Sequence, residues 1–325
     1  MSDQKNQLFL RDPLNFIQNQ AVDIRIFDRT ISGRPGWMPA QPQDSWFGLY
    51  GGAVCQVIRE AHFDLEPFSA GHFFNQRNFC VLRFDRRTVT QQFLQVVRAL
   101  RAQKAQEAFD NVQARRLAVQ AAPNDAIAQT HLQMAEQRLQ TFQASHRDRS
   151  DQFVQSQHPI PGYFFPYLSP PGGAPQVNSS RWGIPQMGFV DVPKQNPAHA
   201  FVFTGQMNGC AMVITDSPVG NTHFRVYHYP NVSTYPRFKN YLRWQGQRRK
   251  HVWTVEEYGT AQEPDVFNFL HHDGNHWYLY CQPQSQVVVS GSLTMQIRQK
   301  TVYGVQFPGR IRVSALGNQF LNAYI

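Results

Sequence analysis

The sequence predicts an α+β fold: a β-sandwich-like core of mixed sheet, flanking helices, and a long antiparallel helical hairpin inserted into that core or appended to it. Two observations carry the prediction. Residues 86–157 contain no Gly and a single Pro, and are rich in Ala, Gln, Arg and Leu. From about residue 182 the chain breaks into short runs of β-branched and aromatic residues separated by close turns, the pattern of sandwiches and curled sheets. A length of 325 residues suits one large domain or two moderate ones.

Residues 1–85 form a mixed N-terminal segment, either a unit of its own or the part that completes the C-terminal sheet. Within it, Gly48–His62 reads as a loop feeding a short helix, and Asn78–Phe84 as a strand rich in bulky β-formers. In 86–157, apolar residues recur at Val89, Phe93, Val96, Leu100, Ala108, Val112 and Val119, then at Ile127, Met134, Leu139 and Phe142. Spacings of mostly three, four or seven give a helical stripe. Ala122-Pro123-Asn124-Asp125 divides it, since Pro stops one helix and Asn or Asp caps the next. Residues 158–175 carry so many Pro and Gly that they read as a connector, unable to supply a central strand.

The β-rich part, 158–325, offers candidate strands at Ala198–Phe203, Cys210–Thr215, Thr222–Tyr229, His251–Tyr258, Val266–Leu270, Trp277–Cys281, Val287–Ser290, Val302–Phe307 and Arg310–Ala315. A short helix is expected within 233–249. Asp273-Gly274 between aromatic runs is a hairpin signal.

Bulk properties exclude several classes. Hydrophobic residues make up 42% and Phe alone counts 25, enough apolar surface for a packed core. No apolar run is long enough for a membrane span. Met1–Gln7 shows neither the basic nor the apolar region of a secretory signal. The expected location is the bacterial cytoplasm, with export by a route that needs no such signal and injection into a target cell as the extension. The net charge of +9 is spread along the chain, and the densest cluster, Arg243–Lys250, is short. It reads as a solvated basic face, and nucleic acid is not the expected partner. Cys55, Cys80, Cys210 and Cys281 form no Cys-x-x-Cys pair, so zinc ribbons and redox motifs are excluded at the level of spacing. His271 and His272 are adjacent and point to opposite faces of a strand, which argues against a metal at His271–His276. Phosphate-cradling glycine loops are missing. No metal or organic cofactor is expected.

The candidate site centres on Cys210. Gly209 before it tolerates the positive φ of a tight turn, which leaves backbone N–H groups near the sulfur. On the following strand Phe224, Val226 and His228 share one face, and His223, Arg225 and Tyr227 the other. His228 is the expected base for a Cys210 nucleophile, with His223 the alternative. Thr204, at the end of the preceding strand, is placed to orient the imidazole or to bind substrate. Cys55, after Gly51-Gly52, is the alternative nucleophile of a papain-like arrangement.

Thr204, then Gly209-Cys210, then a strand, a turn with Asp and Gly, and His228 on the next strand resemble bacterial glutamine deamidases. These are the CheD-like chemoreceptor deamidases and the catalytic domains of cytotoxic necrotizing factor and related lethal-factor toxins. The resemblance spans about 30 residues. It implies a cysteine-dependent hydrolase of toxin or effector type acting on a protein glutamine, for example in a host GTPase or translation factor. It differs from those enzymes in Met207-Asn208 before the Gly and in the hairpin that precedes the site. The alternative is a non-catalytic interaction or assembly protein that docks a secretion chaperone, an immunity-type protein or another partner through 86–157.

Overall fold

The computed structural model describes residues 2–24, 58–67, 79–144, 153–165, 188–205, 207–229, 249–260, 262–289 and 292–314. The chain opens with two short helices, α1 (Ser2–Arg11) and α2 (Pro13–Asn19). Sequence reading did not anticipate them, although Asp12-Pro13 is a start signal: the Asp12 carboxylate accepts from Asn15 N at 3.0 Å, with Pro at the first helical position. Strands β1 (Ala21–Ile24), β2 (Glu60–Pro67) and β3 (Phe79–Phe84) follow. Where a helix was expected up to His62, the described part is strand from Glu60. Its Phe63 and Leu65 are fully buried, and Ala61 shares their face, an alternation of period two.

Helices α3 (Gln91–Ala121) and α4 (Ala126–Ala144) make the expected hairpin. Thr90 caps α3 by accepting from Phe93 N, and Asp125 caps α4 by accepting from Ile127 N and Ala128 N. Phe93, Leu94 and Val97 root α3 in the body's core. Farther out, the buried positions are the small ones, Ala108, Val112 and Ala135. The stripe on α4 is therefore shifted from the expected one: Ile127 and Met134 are exposed, while Ala135 is buried and Leu132 and Leu139 half-buried. Small side chains let the two helices approach closely, so they take the seam.

Beyond the hairpin come β4 (Ile160–Phe165), β5 (Phe189–Pro193), β6 (Phe201–Thr204), β7 (Met207–Asn208), β8 (Ala211–Asp216), β9 (His223–Tyr229) and β10 (Arg249–Trp253). After helix α5 (Val255–Tyr258) lie β11 (Asp265–His272), β12 (Trp277–Val289), β13 (Ser292–Ile297), β14 (Lys300–Val302), β15 (Val305–Phe307) and β16 (Gly309–Arg312).

The large mixed sheet runs β1-β3-β2-β4-β6-β11-β12-β13, with β16 also on β12 and β7 on β11. The N-terminal strands are thus hydrogen-bonded into the same sheet as β6 and β11. The sheet nearly closes on itself. Gln282 Oε1 accepts from Val22 N, and Gln284 Nε2 donates to Val22 O, so two β12 side chains reach the backbone of β1. Inside the curl, Phe9 of α1 meets the rings of Phe16, Phe201, Phe203 and Phe269. A smaller antiparallel sheet, β10-β8-β9-β5, packs against the outer face.

Four strand expectations are corrected. β4 is a central strand despite Pro161. Pairing to β6 begins only at Gly162, so the missing N–H of Pro161 costs that ladder nothing. A side chain at Gly162 would press on Phe203 and the Phe201 carbonyl. His251–Tyr258 divides into a strand ending at Trp253 and α5, because the Thr254 N–H bonds the Glu257 carboxylate at the helix start. Val302–Phe307 is a hairpin, turned by Tyr303 (φ 54°) and Gly304 (φ 77°). Trp277–Val289 is one strand, with Pro283 where the neighbour changes from β16 to β13.

Candidate functional site

The two sheets meet face to face, and Thr204, Cys210 and His228 lie between them. Val202 and Thr204 of β6 point outward from the curl, opposite to Phe201 and Phe203, which line its interior. Met212 and Ile214 of β8, and Phe224 and Val226 of β9, point back at them from the smaller sheet. Register pairs Met212 with His228 and Ala211 with Tyr229. Cys210 precedes that ladder by one residue, packs in the same apolar layer as Met212, and lies diagonally from His228, a position roughly 7–8 Å away between Cα atoms.

His228 crosses the gap. Its Nδ1 stands 2.6 Å from Thr204 Oγ1, a hydrogen bond between the two sheets. The edge of the Phe165 ring packs on the imidazole at 6.4 Å. His228 is 1% exposed and Thr204 0%. Burial pushes the imidazole down to about 3, because the charged form loses its water. At the opposite end of the sandwich, Trp277 Nε1 donates to the Pro193 carbonyl at 2.9 Å.

Cys210 is also held through its backbone. Gly209 takes φ 75°, in the left-handed region. Tyr258 Oη, on α5, donates to the Cys210 carbonyl at 2.6 Å. Sequence reading missed Tyr258 because it assigned that residue to a strand, although Thr254-Val-Glu-Glu257 carries a helix-start signal. The phenol is buried, and its pKa is raised by that burial and by the neighbouring Cys210 and Cys281.

The other candidates fall elsewhere. His223 pairs with Pro193 at the far end of the β8–β9 ladder, roughly 20 Å along the strand from Cys210 at the usual rise per residue. It is not a base for that thiol; its Nδ1 lies 2.9 Å from the Thr222 hydroxyl. Cys55, the 233–248 part of the expected short helix, and Arg243–Gln247 with Arg248 lie outside the described residues. His271 stacks on Phe201 at 4.5 Å inside the curl, and His272 packs on Trp277 on the other face. Among the described residues no group of His, Cys, Asp and Glu could hold a metal ion, and no helix is long and apolar enough to cross a membrane.

Of the three, Thr204 and His228 are hydrogen-bonded to each other, and Cys210 shares their layer. The imidazole is oriented by a hydroxyl and sits on the face that carries the thiol. Burial favours its neutral form.

A family model described as the Mcf1 activator-binding domain matches residues 112–311. No curated protein matches the chain.

Proposed function

The chain belongs to the Mcf1 activator-binding domain family, and from that membership we propose that it is a binding module whose partner is an activator protein. The single observation that carries the reading is the extent of the match, from Val112 in the outer part of α3 through α4, the smaller sheet and the β4–β16 strands to Ile311; β1, β2 and β3 lie outside it. The hairpin supports it physically. Phe109, Leu117, Ile127 and Met134 are exposed on α3 and α4, and they offer an activator, a secretion chaperone or an immunity-type protein separate apolar anchor points.

The Thr204–His228 bond with Cys210 on the same face supports a second reading, a cysteine-dependent glutamine deamidase of effector type. Cys210 Sγ would attack the carboxamide carbon of a protein glutamine, in a GTPase or translation factor for example. The C–N bond would break, ammonia would leave with the proton carried by His228, and water would hydrolyse the thioester to Glu. Substrate reaches Cys210 only if the seam between the sheets opens, so this reading ranks second.

One experiment separates the two. Native protein and Cys210→Ser are each immobilised and exposed to a host-type lysate, and retained and modified proteins are identified by mass spectrometry. Binding predicts that both retain the same protein and bind it, once purified, with equal affinity. Deamidation predicts Gln→Glu conversion with the native protein alone. Retention by neither overturns the activator-binding reading. An unmodified lysate, with Cys210 inert to alkylation in the folded state, overturns the deamidase.

A further inference from the structure

Arg310 and Arg312 stand on β16, at one edge of the large sheet. The guanidinium groups of Arg83, Arg87, Arg225 and Arg298 each meet a carboxylate. Arg310 and Arg312 of β16 are exposed, and among the described residues neither forms an ion pair, although Asp273 is near enough to Arg310 to couple with it electrostatically. They lie instead against aromatic rings and an imidazole. Register sets Arg310 opposite Tyr280 and Arg312 opposite Tyr278. The Arg310 guanidinium lies 4.5 Å over the Tyr278 ring, and its Nη1 donates to Tyr280 Oη at 3.0 Å. Arg312 Nη2 stands 2.9 Å from His276 Nδ1. The nearby carboxylate of Asp273 is engaged within its own turn, accepting from Asn275 N and His276 N.

A guanidinium laid on a ring and tied by one N–H is already oriented before any partner arrives. Its remaining donors form the planar fork that grips a carboxylate with two parallel bonds. Arg beside Tyr is also the composition of interface hot spots. The net charge of +9 draws acidic surfaces towards the chain. A single-stranded nucleic acid needs open ring faces for its bases, and here Arg310 covers Tyr278 while Tyr280 is buried.

We propose that the Tyr278–Tyr280–Arg310–Arg312 strip docks an acidic segment of the activator protein, with Asp or Glu carboxylates on the two guanidinium groups. This rests on the reading above that the partner is a protein.

The test titrates the full chain with a fluorescein-labelled oligoglutamate peptide and with an oligothymidylate of equal charge. Arg310→Gln/Arg312→Gln should weaken peptide binding about tenfold or more, while Arg116→Gln on the hairpin leaves it unchanged. Arg310→Lys/Arg312→Lys keeps the charge without the planar fork and should fall between, which guards against a misfolded Gln variant. Equal peptide affinity in native and Gln variants overturns the proposal, as does an oligothymidylate that binds the strip more tightly than the peptide. Lysate capture separates the two levels. If the Gln variant retains the same activator with undiminished affinity, the strip falls and the activator-binding reading stands. If the native chain retains none, that reading falls, and the peptide titration still decides the strip.

Discussion

Thr204 and His228 show how much one buried hydrogen bond decides. Thr204→Val keeps the shape and removes the hydroxyl, leaving a fully buried imidazole without its inter-sheet partner. The expected loss is about 1–3 kcal/mol in denaturant unfolding. Gly209→Ala meets no atom within 4 Å, so its cost comes only from φ 75° and should be about 1–2 kcal/mol. Asp64 supplies a pH signature. It is 1% exposed, accepts from Asn6 Nδ2 at 2.7 Å, and burial raises it from 3.8 to about 6. A carboxyl raised on folding favours the native state while protonated. Its contribution is complete below pH 3.8 and is lost as pH rises to about 6. Asp64→Asn should flatten the stability profile across that window, measured by urea midpoints. Thr204 and His228 could be picked from sequence because strand alternation puts them on predictable faces. Tyr258 and Asp64 could not, because their partners are 48 and 58 residues away.

At the scale of elements, caps and turns were legible and strand neighbours were not. Asp125 behind Pro123 announced the start of α4, and its carboxylate does bond the Ile127 and Ala128 amides. Asp125→Ala should cost about 1 kcal/mol, read as faster hydrogen exchange at those amides with the sheets unchanged. Local composition gives β4 as a connector, because Pro and Gly act as breakers within a few residues. Whether Pro161 breaks a ladder depends on which neighbour lies on its N–H side, and that neighbour is 40 residues away in sequence, at Phe201 paired with Gly162. Period alone likewise could not choose between Ile127–Met134 and the neighbouring Ala135 stripe on α4, since both recur at helical spacing.

For the whole molecule, α1 inserted into the curl makes the N-terminus part of the core. Phe9 is fully buried among four other Phe rings. Phe9→Ala should therefore cost about 3–5 kcal/mol and lower the unfolding of the whole β body in one transition, followed by fluorescence and far-ultraviolet dichroism together. Two separate transitions would show that the N-terminal segment is independent of the C-terminal sheets.

Local sequence carries the α+β class, the helical hairpin and its break, the turns at Gly209 and Asp273-Gly274, and the shared face of Phe224, Val226 and His228. These follow from local sterics and from periods of two and 3.6, which act over a few residues. Long-range pairing was needed to bring β1, β2 and β3 beside the C-terminal strands, to set Thr204 against His228 across a buried layer, and to lay Arg310 over Tyr278 with Arg312 beside His276. Those outcomes depend on which distant strands pair and which faces lose their water, and no local pattern encodes the choice.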